Sequence, residues 1–292
     1  MPRTSTVRSG RTATKSTGRT ATVNASSDNA PFTFAWFTDI HIGRGGTFDP
    51  GQPEDAFDYV GTNFPDISFV MASGDITDNS TTAEFNSFLS KKSGSTLASK
   101  TWYFLPGNHD EGAGLEASGG TADGPATYAE YDAAGFPRRW SFSQGGYKFI
   151  GFTSYIRRNP DPLEGFGNVS STDLTYLENE LISAGSDKPF VFSHFGLSNA
   201  IGNNIKGTPQ TNIFSLMNTY NARVYFHGHR HADLREDDDT SVYHVNGECV
   251  AYSVPNSTGS FEIVTVDGNT ITVRAYLRIS PWTLQDTVII NL

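Results

Sequence analysis

The chain has 292 residues, of which 37% are hydrophobic and 13% aromatic, and it carries a formal net charge of −10. This composition excludes a largely disordered protein, and no apolar run approaches the roughly 20 residues that a membrane helix needs. Cys249 is the single cysteine, which excludes an intrachain disulfide and a cluster of cysteine ligands, and we interpret it as a small buried hydrophobe.

The charge is unevenly distributed along the chain. Residues 1–27 contain five basic residues and no acidic one, so that with −10 in total the remaining residues carry −15. We predict a flexible basic arm over residues 1–30 and one folded domain over residues 31–292. The arm is either a solvated tail or a segment that docks on a partner. Because no apolar secretory signal precedes the domain, we expect a cytoplasmic protein.

Five predicted strands share one feature, a potential metal ligand at the point where each strand ends. In chain order they cover residues 32–38, 67–72, 102–106, 190–193 and 223–226. The residues that follow them are Asp39 and His41, Asp75, Asn108 and His109, His194, and finally His227, His229 and His231. In open α/β sheets, ligands bind beyond the carboxyl ends of the strands, so we expect these side chains to converge.

Helices and hairpins are predicted between and after these strands. Apolar residues at spacings of three and four predict helices over residues 54–64, 81–92, 127–134, 174–181 and 213–220, with Ser171 as the cap of the fourth. Glycine turns predict a hairpin over residues 140–154 and another over residues 260–277, and residues 242–254 also alternate as a strand. The glycine-rich loop 111–125 is a candidate substrate rim. The strand-rich end of the chain indicates a second sheet stacked on the first, with helices outside.

The histidines are concentrated in the blocks that end the strands. Six of the seven lie there, and carboxylate, amide and imidazole groups together suit divalent Mn, Fe or Zn. Asp39 and His41 lie two residues apart, as do His229 and His231, which places each pair on one side of an extended chain. Asp75 is a carboxylate suited to bridging two ions. The set therefore predicts a site for two metal ions.

The ordered blocks resemble the calcineurin-like metallophosphoesterase superfamily, over Phe32 to about Leu277. The motifs are Asp-x-His, Gly-Asp-x-x-Asp, Gly-Asn-His-Asp/Glu, a lone His, and Gly-His-x-His. The matching residues are Asp39-Ile40-His41, Gly74-Asp75-Ile76-Thr77-Asp78, Gly107-Asn108-His109-Asp110, His194, and Gly228-His229-Arg230-His231. The resemblance implies an α+β fold, an α/β/β/α sandwich of two stacked mixed β-sheets flanked by helices, with a dimetal site at the strand carboxyl ends.

The resemblance also implies a role for each matching residue. One metal would be held by Asp39, His41, Asp75 and His231, and the other by Asp75, Asn108, His194 and His229. His109 would lie beside the scissile phosphate as a catalytic residue, with Asp78 as its carboxylate partner. Asp110 would support the metal ligands. His227 lies outside the motif, but a shift of two residues would also produce a His-x-His pair; we favour the glycine-anchored register.

The activity implied by the resemblance is hydrolysis of a phosphodiester or phosphomonoester by attack of a hydroxide activated by the two metal ions. The expected partner is a small-molecule phosphate ester. A nuclease of the same superfamily is disfavoured by the acidic charge of the domain. A third hypothesis is an assembly protein that keeps the fold and works through its basic arm.

The second and third blocks carry the signals on substrate class. Protein phosphatases of the superfamily follow the second block with a phosphate-binding arginine, whereas this chain has Asn79 there. The form of the second and third blocks is more similar to the branch that includes cyclic-nucleotide phosphodiesterases.

Overall fold

The computed structural model describes residues 30–45, 49, 51–112, 127–156, 166–197, 204–231, 235–237, 241–251, 259–278 and 282–292. The predicted basic arm, apart from its last residue, lies outside this part of the chain, as do most of loop 111–125 and the end of the predicted strand 242–254. No helix among the described residues is both long and apolar enough to cross a lipid bilayer.

Strands and helices alternate through most of the described chain, and strands alone occupy its last part. The elements are β1 (Phe32–Phe37), α1 (Gln52–Asn63), β2 (Val70–Ser73), α2 (Thr82–Gly94), β3 (Trp102–Leu105), α3 (Ala129–Ala133), β4 (Trp140–Gln144), β5 (Tyr147–Gly151), β6 (Tyr155–Ile156), β7 (Gly167–Asn168), α4 (Ser171–Ser183), β8 (Lys188–Phe192), α5 (Thr208–Thr219), β9 (Val224–His227), β10 (Arg235–Asp237), β11 (Tyr243–Asn246), β12 (Ser260–Asp267), β13 (Thr270–Leu277) and β14 (Thr283–Asn291).

Two six-stranded mixed sheets form the centre of the fold. The first has the strand order β14-β13-β12-β1-β2-β3, in which β1, β2 and β3 are parallel and the remaining pairs are antiparallel. The second has the order β10-β11-β9-β8-β5-β4, with four parallel strands between two antiparallel edges. Strands β6 and β7 pair separately.

Aromatic side chains fill the space between the two sheets. Phe34 of β1 packs against Phe149 of β5 with ring centroids 5.7 Å apart, and Trp36 packs against Phe226 of β9 at 5.2 Å. These rings belong to one buried cluster contributed by both sheets. Aromatic rings carry a large apolar area and prefer such edge-to-face contacts, so the two sheets are held face to face.

The helices cover the outer faces of the two sheets. Helices α1 and α2 bury Phe57 and Phe88 against the first sheet, where both rings lie near Trp102. Helices α4 and α5 bury Leu177, Ile213 and similar residues against the second sheet. The order of layers is helix, sheet, sheet, helix. The predicted α+β sandwich is therefore confirmed.

Most predicted elements lie within two or three residues of the observed ones, and the differences have local causes. Helix α5 begins at Thr208 and not at Ile213, because Pro209 and the polar residues after it form a first turn that carries no apolar stripe. Helix α4 is capped by Ser170, whose hydroxyl accepts from the Asp173 N–H at 3.1 Å, and not by Ser171. Strand β14 was not predicted, because as a mostly exposed edge strand it lacks an alternating apolar pattern.

Candidate metal centre

The strand-end blocks from both sheets meet at one edge of the sandwich. Backbone hydrogen bonds join neighbouring blocks directly: the Asp39 N–H donates to the Gly74 carbonyl at 3.0 Å, and the Gly228 N–H donates to the His194 carbonyl at 3.0 Å. The parallel strands thus end side by side, and the side chains that follow them converge on one buried volume.

The first donor group consists of Asp39, His41, Asp75 and His231, whose ligand atoms all lie within 4.8 Å of one another. His231 Nε2 lies 2.9 Å from Asp39 Oδ1 and 2.9 Å from His41 Nε2. His41 Nε2 lies 3.6 Å from Asp75 Oδ2. Two imidazole nitrogens and two carboxylates directed at one point form a mixed nitrogen and oxygen set that suits a divalent transition-metal ion.

The second donor group consists of Asp75, His194 and His229, again with ligand atoms within 4.8 Å of one another. Asn108 joins it, because its Oδ1 lies 3.2 Å from His194 Nε2. His194 Nδ1 lies 3.0 Å from the Ser73 carbonyl oxygen, and donation to that oxygen leaves Nε2 as the nitrogen available to a metal. Asp75 belongs to both donor groups, which is the arrangement of a carboxylate that bridges two ions.

Five of these residues have an unusual backbone conformation. The φ angles of Asp39, His41, Asp75, His229 and His231 are 54°, 48°, 50°, 72° and 46°, in the left-handed region that residues other than glycine rarely adopt. Each lies in a short connection directly after a strand, where the chain must turn sharply to direct a side chain into the centre. Departures of this kind concentrate at functional sites.

The buried carboxylates of the centre are balanced by imidazole groups. Burial alone would raise the pKa of Asp39, but the charge of His231 and a hydrogen bond to it lower that pKa overall. Burial would lower the pKa of His194, but the Asp75 carboxylate beside it raises the value to about 9. Burial, reinforced by the charge of His194, lowers the pKa of His229 to about 3, which leaves that imidazole neutral with a lone pair.

His109 lies at the exposed side of the centre and is held through both its backbone and its ring. Its N–H donates to Asp75 Oδ1 at 2.8 Å, and its Nδ1 lies 2.8 Å from the carbonyl oxygen of Asp78. The Asp78 carboxylate is 3.7 Å from the same nitrogen and instead bonds to His41 Nδ1 at 3.0 Å. Asp78 therefore contacts both His109 and His41, but through different atoms than the sequence analysis expected.

Asp110 connects the second and third blocks below the centre. Its carboxylate accepts from the N–H groups of Gly107, Ile76 and Thr77 at 2.9, 3.1 and 2.9 Å, and from the Thr77 hydroxyl at 2.9 Å. Burial and the neighbouring Asp75 charge raise the pKa of Asp110 to about 6, against the effect of these donors. It supports the loops that carry Asp75 and Asn108, as the sequence analysis expected.

His227 is buried but lies outside the donor groups found among the described residues. Its Nδ1 lies 3.1 Å from the Gly228 carbonyl oxygen, and burial lowers its pKa to about 3. His229 and His231 do belong to the donor groups. This geometry favours the glycine-anchored register of the last block.

Three residues beside the centre had no role in the sequence analysis. The Thr38 hydroxyl donates to Asp39 Oδ2 at 2.8 Å, and Arg44 Nη1 donates to Asp78 Oδ1 at 3.3 Å. The buried Cys249 thiol donates to the Asp39 carbonyl oxygen at 3.1 Å. Thr38 and Arg44 flank the first motif in sequence, so their position could have marked them as neighbours of the centre. Cys249 lies far from every motif, and no sequence signal identifies it.

Solved structures with the same fold are similar at low sequence identity. A dimetal phosphatase from Danio rerio is 12% identical with a TM-score of 0.63, over 89% of this chain and 98% of that one. Purple acid phosphatase PPD1 from yellow lupin (Lupinus luteus) seeds is 14% identical with a TM-score of 0.65, over 90% of this chain and 54% of that one. GAP50, the anchor in the inner membrane complex of Plasmodium, is 13% identical with a TM-score of 0.63, over 90% and 89%. These similarities concern the fold alone.

A comparison of sequences identifies the family. Curated proteins give no match. The family model described as calcineurin-like phosphoesterase matches residues 32–233, which is more than half of the chain and includes every block that contributes a donor. This match confirms the resemblance noted in the motifs. The chain belongs to the calcineurin-like phosphoesterase family.

Proposed function

We propose that the protein is a metal-dependent phosphoesterase that hydrolyses a phosphodiester or phosphomonoester of a small molecule. One metal ion is held by Asp39, His41, Asp75 and His231, and the other by Asp75, Asn108, His194 and His229. The observation that carries the proposal is the shared position of Asp75 in two buried donor groups. Members of this family typically bind two divalent ions, and the donor chemistry fits them.

The metal ions and the protein side chains have separate tasks in this proposal. When bound, two divalent cations lower the pKa of a water molecule and neutralise phosphate oxygens. His109 supplies the proton for the leaving alkoxide. Its Nδ1 is engaged by the Asp78 carbonyl oxygen, which leaves Nε2 as the nitrogen that gives the proton. Burial opposes protonation of His109, but the Asp75 charge, the hydrogen bond to the Asp78 carbonyl and the Asp78 charge raise its pKa overall, which favours the protonated ring.

Asp78 acts on a metal ligand in this proposal. Its carboxylate lies 3.0 Å from His41 Nδ1, and when that nitrogen donates to it, Nε2 is left as the metal-binding nitrogen of His41. Its carbonyl oxygen orients His109. Asp78 thus orients both the proposed metal ligand His41 and the proton donor His109 toward the centre.

The metal is proposed to be Mn, Fe or Zn, because the nitrogen and oxygen donors suit ions of intermediate hardness. A small-molecule substrate is favoured over nucleic acid, because a net charge of −10 repels a polyanion. An assembly role for the basic arm is not favoured, because the donor set of the centre is complete.

A substrate panel tests the proposal. Protein supplied with Mn²⁺, Zn²⁺ or Fe²⁺ is assayed against an aryl phosphomonoester, an aryl phosphodiester, cyclic nucleotides and single-stranded DNA, with Asp75→Asn as the control that removes the shared ligand. We expect metal-dependent hydrolysis of at least one small ester and none by the control. Binding of fewer than two metal ions per chain, or turnover that survives in Asp75→Asn, would contradict the proposal.

A further inference from the structure

We propose that Arg44 is a substrate-binding residue that directs the centre toward the dianionic phosphoryl group of a phosphomonoester. This inference rests on the proposed phosphoesterase function and goes beyond it, because it assigns the substrate class. It begins from the position of Arg44 at the side of the centre from which a substrate enters.

The accessible side of the centre is defined by a contrast in exposure. The side chains of Asp39, His41 and His194 are 0% exposed, whereas those of His109, Asp78 and His231 are 17%, 19% and 15% exposed. Arg44 lies on the same accessible side, with its side chain 28% exposed. A phosphate ester that reaches the buried donors passes these partly exposed groups.

The backbone around Arg44 is built to hold the side chain in this position. The Arg44 N–H donates to the His41 carbonyl at 3.1 Å, and the preceding loop is joined to the second block by the bond from the Ile42 N–H to the Ile76 carbonyl at 3.0 Å. Gly43 has a φ of +99°, and a Cβ there would lie 2.1 Å from Glu84 Oε1. Glycine lets the loop close against α2, which brings the guanidinium to the centre.

The guanidinium already contacts groups of the centre. Arg44 Nη1 lies 3.3 Å from Asp78 Oδ1 and 3.4 Å from His41 Nδ1, and the His41 ring centroid is 4.6 Å from that of His109. A partly exposed ion pair of this kind adds little stability by itself. The planar, permanently charged guanidinium of Arg44 is, however, well matched to phosphate oxygens.

The residue after the second block does not supply a positive charge for binding phosphate. Asn79 is uncharged, and its side chain donates to Glu84 Oε1 at 2.9 Å, toward α2. Without Arg44, an incoming phosphate would meet the Asp78 carboxylate, in a domain that is acidic overall. Arg44 offsets the negative charge of that carboxylate and adds a hydrogen-bond donor for the phosphate. Since electrostatic attraction scales with the charge of the ligand, the effect is larger for a dianionic monoester than for a monoanionic diester.

The test compares Arg44→Ala and Arg44→Lys with Arg223→Ala. Arg223 lies at the opposite end of β9, and its side chain donates to the Ser241 carbonyl at 3.0 Å and to Asn221 Oδ1 at 2.9 Å, away from the centre. For metal-loaded protein we measure the Kd of inorganic phosphate by calorimetry, kcat and KM for an aryl phosphomonoester and an aryl phosphodiester, and metal content by mass spectrometry.

We expect Arg44→Ala to keep both metals, to weaken phosphate binding by about tenfold or more, and to lose monoester kcat/KM by a similar factor, because a charged hydrogen bond is removed. The diester should lose less, Arg44→Lys should recover part of the loss, and Arg223→Ala should match the wild type. An unchanged phosphate Kd together with an unchanged ratio of monoester to diester turnover in Arg44→Ala would overturn the inference, as would loss of metal.

The same experiments distinguish a failure of the proposed function from a failure of the inference about Arg44. If wild-type protein hydrolyses no ester, that function is wrong, whereas a phosphate Kd that depends on Arg44 still supports the anion site. If the wild type hydrolyses esters and Arg44→Ala behaves identically with both substrates, the function stands and the role of Arg44 is wrong.

Discussion

The imidazole of His109 is anchored to the main chain of Asp78 and not to its carboxylate. Nδ1 lies 2.8 Å from the carbonyl oxygen and 3.7 Å from Oδ1. A carbonyl oxygen only accepts, so this contact assigns the hydrogen to Nδ1 and determines which nitrogen of the ring faces the substrate. In the proposed mechanism, the proton for the leaving group therefore comes from Nε2 of the doubly protonated ring, while Nδ1–H stays bonded to the carbonyl.

Replacing His109 by alanine should separate proton transfer from metal binding. His109 belongs to neither metal-binding set proposed here, so His109→Ala should keep two metal ions while kcat falls by about 10²–10⁴-fold, the usual contribution of a positioned acid. Metal analysis and steady-state kinetics check this, with aryl esters of increasing leaving-group pKa. The loss should be larger for poorer leaving groups; a wild-type rate in the variant would remove His109 from the mechanism.

Asp78→Asn should act mainly on the metal ion that His41 is proposed to bind. The carboxylate bonds to His41 Nδ1, and loss of such a contact typically costs about 10–100-fold in metal affinity. Metal titration monitors the affinity. At saturating metal, the leaving-group dependence should stay like that of the wild type, because the carbonyl oxygen that holds His109 remains. A leaving-group dependence like that of His109→Ala would show that the carboxylate serves His109.

The register of the last block can be tested with two alanine substitutions. His231→Ala should strongly lower the affinity for one metal ion, since His231 lies in the first donor group. His227→Ala should keep both ions and lower the free energy of unfolding by about 2 kcal/mol, because it truncates a buried side chain. Metal stoichiometry and urea denaturation give the two results. The reverse pattern of metal loss would move the register by two residues.

Asp110→Asn should destabilise the protein through its backbone partners. The carboxylate accepts four hydrogen bonds, two at each oxygen. In the amide, the NH₂ group that replaces one oxygen cannot accept, so two of the donors lose their acceptor. We expect a loss of about 2–3 kcal/mol in the free energy of unfolding, from buried donors left without an acceptor. Asp66→Asn, at an exposed position, is the control in urea denaturation. Equal stability of the two variants would contradict this role of Asp110.

Glu262 should make the stability of the protein depend on pH. It lies on β12, fully buried, and Oε1 accepts from the Glu248 N–H at 2.6 Å, while Oε2 has no hydrogen-bond partner among the described residues. Burial, followed by the Glu248 charge and at longer range that of Asp39, raises the pKa of Glu262 well above its usual 4.5. The protonated form is therefore favoured in the folded state.

The sign of the effect follows from linkage. A raised folded-state pKa stabilises the protein below the ordinary pKa of the group, and this stability is lost as pH rises through the folded-state value. Glu262→Gln cannot ionise, so its free energy of unfolding relative to wild type should increase from about pH 4 upward, by about 1.4 kcal/mol for each unit of pKa displacement. Urea denaturation at constant free metal measures it, with exposed Glu178→Gln as control. A pH-independent difference would show that Glu262 ionises as easily in the folded state as in the unfolded one.

The sequence could single out the residues that converge because each follows its strand within two to four residues. Asp39, Asp75 and His194 could be identified from apolar runs and motif order, and the parallel strands bring them together. The α+β class was implied by the resemblance of these motifs to the family, and the strand-rich end of the chain indicated the second sheet. These features are local, so a single sequence contains them.

The remaining features depend on where backbone atoms lie after folding. The carbonyl of Asp78 meets His109 only because the second and third blocks pack together, and Asp110 collects N–H groups from both. Arg44 reaches the centre through a loop in which Gly43 lies too close to Glu84 for a side chain. No periodicity or spacing records such long-range contacts.

The left-handed backbone at five of the proposed metal-binding positions constrains how the protein can change. At His41 or His231, alanine would discard the donor while keeping a conformational penalty of about 1–3 kcal/mol, whereas glycine would remove both. A descendant released from selection for hydrolysis therefore gains stability by accumulating glycine at these positions. We therefore expect relatives that have lost hydrolysis to carry glycine at these positions more often than relatives that retain it.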